Sequence, residues 1–148
     1  MHALSVMEPW AALIVLGVKR IETRSWRTGF RGRLAVHASS QLPPGYHDLA
    51  HREPFRSALL RSPWNRPPRG VLLGTVELRD CVRVEELDAL SQQERSFGNF
   101  APGRWAWLLA DPQPLPWLVP VRGWPGVFEV DELPPPLSTC TEEDRGRG

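Results

Sequence analysis

Residues 17–24 read GVKRIETR, a polar stretch that directly follows the apolar residues 10–16, WAALIVL. The apolar run predicts a buried helix, and Gly17 is the type of residue that commonly follows a helix end. The next residues, 21–26, alternate like a strand, and one face of that strand is charged and aromatic, with Glu22, Arg24 and Trp26. Such a face is unusual both for a protein core and for plain surface, so the stretch is a candidate functional site.

Lys19, inside this stretch, is the only lysine of the chain, whereas the other 17 basic residues are arginine. Arginine is effectively always protonated, but the pKa of a lysine can shift, so that the amine acts as a base or a nucleophile. Lys19 is therefore a candidate for chemistry. The alternative is an ordinary surface lysine that is alone by chance.

The remaining sequence predicts short strands with few helices. Glu8 and Pro9 suit the first turn of the first helix, and Gly74 inside an apolar strand suggests a bulge or a close backbone approach. Helical spacing is seen at 46–60 and 84–93, and a turn is expected at 112–114. Strands are expected at 3–6, 21–26, 33–38, 70–81, 105–110, 119–121 and 126–130. This pattern predicts an α+β fold, a small mixed β-barrel with two or three flanking short helices.

Composition sets the broad class. The chain has 148 residues, 41% of them hydrophobic and 24% charged, which is typical of one globular domain. We expect that domain over residues 1–131 and a disordered tail over 132–148, which is rich in proline and acidic residues. Two cysteines, Cys81 and Cys140, are too few for a disulfide framework or a zinc site, and Cys81 is expected to be a buried free thiol.

Charge is unevenly distributed, since residues 1–75 carry about +7 and residues 76–148 about −6, for a net charge of +1. This asymmetry favours a basic binding face, unless the two halves intermix in space and cancel. No signal peptide and no membrane span is expected, and a cytoplasmic protein is the default. No metal-ligand spacing, phosphate-binding glycine loop or cofactor motif is found.

Three segments together carry a resemblance to a known family. Residues 4–10 read LSVMEPW, residues 17–26 complete the pattern Gly-x-Lys-x-x-Glu-x-Arg, and residues 31–34 read RGRL. The chain resembles the ASCH family (activating signal cointegrator homology), and further segments at 70–78, 97–107 and 123–130 fit the same family. One departure is Glu8, where members of the family often have glutamine.

The resemblance implies a PUA-like fold, a small and partly open β-barrel with a cleft beside it. It also implies a function linked to RNA or another nucleic acid, with RNA, a single strand or a modified nucleoside as partner. Some members are enzymes. One bacterial branch hydrolyses N4-acetylcytidine nucleosides with a lysine, a threonine and a glutamate, and other members have been assigned ribonuclease activity. Where that branch has its threonine this chain has Glu22, while Glu77 and Glu94 both stay open as the third residue.

Read from the residues, Lys19, Glu22 and Arg24 bring an amine, a carboxylate and a guanidinium together. Arg24 offers a fork for phosphate, and Trp10 and Trp26 offer flat surfaces for a base. The structural alternative is a Glu22–Arg24 ion pair that merely fixes the strand. For catalysis, Lys19 and Glu22 are the candidates, since burial or neighbouring arginines can lower the pKa of a lysine.

Weaker candidates complete the predicted site. Their shared property is a polar side chain on a strand or at a strand end near the motif, and they are Arg31, Arg33, His37, Ser39 and Arg104. The arginines could form a basic stripe for phosphates, although a solvated arginine-rich hairpin without a ligand would have the same sequence pattern. Three functions remain open: a nucleic-acid-binding module, a small hydrolase that uses Lys19, and a protein-binding adaptor.

Overall fold

The computed structural model describes residues 1–133, in which six strands form one mixed sheet that curls into a half-barrel. The strands are β1 (His2–Val6), β2 (Ile21–Arg24), β3 (Gly32–Ala38), β4 (Val71–Arg83), β5 (Trp105–Pro120) and β6 (Val127–Glu129). Their order across the sheet is β2-β5-β4-β3-β1-β6, with β1 and β3 parallel and the other pairs antiparallel. The predicted α+β class with a mixed, barrel-like sheet is confirmed.

Four short α-helices accompany the sheet in the described residues, rather than two or three. They are α1 (Trp10–Val15), α2 (Tyr46–Ala50), α3 (Phe55–Leu59) and α4 (Gln92–Phe97). The helix expected over 46–60 is divided, because Pro54 has no amide hydrogen and its ring cannot continue a helix from α2. The acidic helix expected over 84–93 was wrong. Only a 3-10 turn forms at Val84–Glu86, and α4 starts later, where the Ser91 hydroxyl accepts a hydrogen bond from the Glu94 amide at 3.0 Å.

Helix α1 is buried on nearly every side, as its apolar sequence predicts, since Ala11 to Val15 are all buried. Its end is fixed by the two hydrogen bonds of a Schellman motif, from the Gly17 amide to the Ile14 carbonyl and from the Val18 amide to the Leu13 carbonyl, both 3.0 Å. Gly17 has a φ of 79°, the left-handed conformation that this helix ending requires. This turn places Lys19 just before the start of β2.

Strands β4 and β5 are the two longest strands, and they pair antiparallel in the interior of the sheet. A side chain at Gly74 would place its Cβ 2.5 Å from the Gln113 carbonyl oxygen and 2.7 Å from Val15, so the predicted close approach is confirmed. The expected turn at 112–114 was wrong, because β5 extends through these prolines, although its pairing with β4 shifts register there and Asp111 has a φ of 48°. β2 pairs with β5 only as far as Leu108, so beyond that point β5 has a free edge where prolines cost no ladder hydrogen bond.

Both faces of the sheet carry apolar residues. The main core lies between α1 and one face and includes Leu34, Val76 and Trp107, while a second cluster on the other face includes Leu72 and Phe128. A third cluster, with Leu13, Phe55 and Phe97, joins α1 to α3 and α4. This third cluster holds the helices against one end of the sheet, and the space between them is the candidate site.

Cys81 is a buried free thiol, as expected. Cys140 and most of the tail expected over 132–148 lie outside the described residues. Within residues 1–133, no helix is both long and apolar enough to cross a bilayer.

Candidate functional site

A cleft of about 670 Å³ opens between β1, β2 and the short helices. Its polar and aromatic lining brings together residues that are distant in sequence: Ser5, Trp10, Glu22, Arg24, Arg52 and Arg104. Five predicted site residues, Trp10, Glu22, Arg24, Ser39 and Arg104, line this cleft. Its volume lies within the range of ordinary small-molecule and nucleotide sites.

Glu22 is the centre of the charge arrangement. One carboxylate oxygen lies 3.1 Å from an Arg24 guanidinium nitrogen and the other lies 3.7 Å from Lys19 Nζ. The same Arg24 nitrogen donates to the Ser5 carbonyl at 2.9 Å, which ties β2 to β1 across the cleft. The ion pair considered as a structural alternative therefore exists, and it lies inside an open cleft.

Lys19 lies beneath this pair and has no exposed side-chain surface. Its ammonium group donates to the Ile21 carbonyl. Burial lowers the pKa of Lys19, and the charges of Glu22 and Glu94 oppose that shift. In this structure Lys19 supports Glu22 from below, and a ligand in the cleft would meet Glu22 and Arg24 first.

The cleft is positively charged at its opening. Arg104 donates to the Asn99 and Thr23 carbonyls at 3.1 and 3.2 Å, which holds its guanidinium across the β2 end of the cleft. Arg52, between α2 and α3, adds an exposed cation. Because Glu22 is already paired with two cations, the lining has a net positive charge suited to an anion.

Arg52 lines the cleft but is not among the site residues predicted from the sequence. The divided helical region places this residue beside a strand 30 positions away in sequence, and only the tertiary fold brings the two together.

The two candidate tryptophans separate in the structure. Trp10, at the start of α1, is half-buried and lines the cleft, with its ring edge-to-face against Phe55 at 6.2 Å. Trp26 lies past the end of β2 and packs edge-to-face on the buried Trp107 at 4.9 Å. Trp10 is therefore the available stacking surface in the cleft, whereas Trp26 belongs to the rim of the core.

Arg31 and Arg33 lie away from the cleft. Arg31 pairs with Asp80 at 3.2 Å, while Arg33 pairs with Glu77 at 3.5 Å and also with Asp111. Each guanidinium therefore already has an acidic partner on the outer surface of the sheet. The structure does not join these two arginines to Arg24 in one basic stripe.

His37 is buried and lines a neighbouring cavity with Ser39. Its Nε2 lies 2.7 Å from the Val121 carbonyl oxygen, and its Nδ1 lies 3.0 Å from the Ser5 hydroxyl. A carbonyl can only accept, so Nε2 carries the proton and Nδ1 accepts from Ser5. Burial lowers the pKa of His37, which favours this neutral ring.

A family model for the ASCH domain matches residues 4–119, which include β2, β3 and β4 in full, most of β1 and β5, and every residue of the cleft described above. The chain belongs to the ASCH domain family. Among its relatives is activating signal cointegrator 1 from Homo sapiens, 33% identical over 132 residues that cover 86% of this chain. The Mus musculus protein of the same name is 32% identical over the same share. The chain spans 22% of the length of each of these relatives.

The solved structures that it resembles include the ASCH protein of Zymomonas mobilis. That protein is 19% identical, with a TM-score of 0.45, over 80% of this chain and 72% of the other. A mutant of it aligns with the same identity and TM-score over 74% of its own chain.

Of the two glutamates considered as a third residue in this ASCH domain, only Glu94 lies near Lys19. Its carboxylate accepts a hydrogen bond from the Arg20 amide at 2.6 Å, and burial raises its pKa against the opposing effects of that bond and of Lys19. Glu77 pairs with Arg33 on the outer surface.

Glu8, the departure from the usual ASCH pattern, is almost wholly buried beside the cleft. Its carboxyl accepts the Ala12 amide at 2.9 Å, and burial raises its pKa to about 7. In the neutral form it matches a glutamine side chain in shape and charge. Residues 1–133 contain no group of three His, Cys, Asp or Glu side chains arranged to hold a metal ion.

Proposed function

We propose that the cleft binds RNA, or a single modified nucleotide of it, with a base against Trp10 and phosphate oxygens near Arg24 and Arg104. The observation that carries this proposal is that an available indole and three arginines line one cleft, whose carboxylate, Glu22, is already paired. Aromatic faces stack on bases, and guanidinium forks match phosphate. ASCH membership agrees with such a module and does not by itself name the ligand.

The test is fluorescence anisotropy with a labelled single-stranded RNA of roughly ten nucleotides, repeated with single-stranded DNA and with N4-acetylcytidine as competitor. Arg104→Gln and Arg52→Gln should each weaken RNA binding several-fold and lower the salt dependence, because each removes one positive charge from the lining of the cleft. Arg79→Gln is the matched control, since Arg79 is exposed on β4 outside the cleft. The proposal fails if no ligand binds at low salt, or if the cleft and control variants bind alike.

A second candidate function, hydrolysis of an acylated nucleoside or of RNA, is supported by the lowered pKa of Lys19 beside Glu22 and Glu94. The burial of the Lys19 side chain opposes it, because the amine would have to move to reach a substrate. The test is N4-acetylcytidine and RNA turnover by the parent and by Lys19→Arg, which keeps the charge and cannot deprotonate. Equal turnover in the two proteins would exclude a lysine base, and no turnover in the parent would exclude the activity on these substrates.

A further inference from the structure

A second cavity, of about 630 Å³, adjoins the cleft on the side of β1 and β3. We call it the Trp124 cavity, after the exposed tryptophan in its wall. Ser5, Arg24 and Ser39 line both spaces, so the two adjoin at these residues, and we call the cleft and the Trp124 cavity together the groove. Each space alone has the volume of a typical ligand site, and the pair exceeds what one nucleotide would fill.

Trp124 offers a flat apolar surface in this groove. Trp124 is 52% exposed, and among the large hydrophobic residues of residues 1–133 only Leu60 is more exposed. The Arg122 guanidinium carbon lies 4.4 Å from the centre of its ring, which places a cation against one face of the indole. An exposed ring with an adjoining arginine is the combination that single-strand-binding proteins use for bases and phosphates.

The loop that carries Trp124 is held in place from below. A Cβ at Gly123 would lie 2.7 Å from the His37 ring and 3.3 Å from the Ser5 hydroxyl, so only glycine allows the loop to approach so closely. The hydrogen bond between His37 Nε2 and the Val121 carbonyl, at 2.7 Å, fixes the backbone two residues before Gly123. A surface that is already ordered loses less entropy when a ligand binds.

The charge along this groove suits a polyanion. No Asp or Glu of the described residues lines the Trp124 cavity, whereas Arg24 and Arg122 do. Arg69 donates to the carbonyl of Ser40, another lining residue, at 2.8 Å and adds a cation at the edge. The arginines of the cleft therefore continue into the second cavity without an intervening unpaired carboxylate.

We infer that the bound nucleic acid is a single strand that continues from the cleft past Arg24, with a second base stacked on Trp124 and a phosphate near Arg122. This inference rests on the proposed function of the cleft and extends it. The domain then recognises a strand of several nucleotides, and a mononucleotide occupies only the cleft.

The test compares two ligands on three proteins. Uridine 5′-monophosphate and an oligouridylate of roughly six nucleotides are titrated against the parent, Trp124→Ala and Trp117→Ala. Trp117 is the matched control, being 41% exposed and outside both cavities. Trp124→Ala should weaken the oligonucleotide roughly tenfold and leave the mononucleotide unchanged, because it removes one stacking surface. Trp117→Ala should change neither.

Two further variants test the mechanism. Trp124→Tyr keeps a flat ring and should restore most of the oligonucleotide affinity, while Arg122→Gln should lower the salt slope by about one, with Arg79→Gln as control. Equal oligonucleotide affinities in Trp124→Ala and Trp117→Ala would overturn the extension and leave the exposed ring to a protein partner. In that case a continuing effect of Arg104→Gln would show that the cleft binds on its own. Absence of all binding in the parent would instead refute the proposed function itself.

Discussion

Two clusters of arginine and carboxylate occupy this domain, and burial separates their roles. In the cleft, the side chains of Lys19, Glu22 and Arg24 are 0%, 12% and 25% exposed. On the outer surface of the sheet, Arg33 is 29% exposed, while its partner Asp111 is 55% exposed. Water screens the outer charges, whereas the cleft charges depend on one another. The same residue types therefore form an interdependent site in one place and an ordinary solvated surface in the other.

The largest expected effect comes from neutralising Glu22. Glu22→Gln leaves Lys19 buried without its nearest carboxylate, and breaking such a pair typically costs about 3–5 kcal/mol of the free energy of unfolding. The measurement is urea denaturation at pH 7. Asp111→Asn is the matched control in the outer cluster and should cost no more than about 1 kcal/mol. Similar small losses in both variants would mean that burial does not distinguish the clusters.

Glu8 provides a third case, a buried carboxyl for which no cation partner is found in residues 1–133. Burial raises its pKa from 4.5 to about 7, so between these values the folded protein holds a proton that the unfolded chain has lost. The free energy of unfolding should therefore fall as the pH rises through this window, by up to about 3 kcal/mol from this group. Stability contributed by the neutral carboxyl is present below pH 4.5 and lost above about 7.

The test is a series of denaturation curves between pH 4.5 and 8 for the parent and Glu8→Gln. The variant has the size of the neutral acid and cannot ionise, so its stability should be flatter across the series and higher than that of the parent at pH 8. Burial raises the pKa of the Tyr46 hydroxyl, and the Glu8 charge adds to this, so that pKa should be lower in the variant. Parallel pH profiles for the two proteins would contradict an ionisable Glu8 in the folded core.

The local elements of this fold could be predicted from sequence, because their causes lie within a few residues. The apolar run before Gly17 determines α1, and alternation after it determines β2, so the grouping of Glu22 and Arg24 was available from spacing alone. The fold leaves no room for a Cβ at position 74, and a glycine inside an apolar strand had already suggested such a close approach.

Long-range partners could not be predicted in this way. Arg33 and its partner Asp111 are 78 positions apart in the sequence. Trp26, just after β2, packs on Trp107, which lies on β5. No residue near Arg33 in the sequence shows that it pairs with acidic residues, so the sequence predicted that Arg33 forms a basic stripe with Arg24. The prolines at 112 and 114 predicted a turn, because proline is tolerated inside a strand only where no neighbouring strand needs its amide hydrogen. Whether that holds depends on where β2 stops pairing with β5, which is a property of the sheet and cannot be seen in the local sequence.

The smallest expected effect is that of Arg33→Gln on RNA binding. Because Arg33 already pairs with Asp111 and Glu77 outside the cleft, its removal should leave the affinity within about twofold and the salt slope unchanged. Stability should change by no more than about 1 kcal/mol, since exposed pairs contribute little. The measurement is the same anisotropy titration over a salt series, with Arg104→Gln beside it. A drop in affinity as large as that of Arg104→Gln would place the outer cluster on the path of the RNA, and location in the cleft would then no longer mark which arginines bind phosphate.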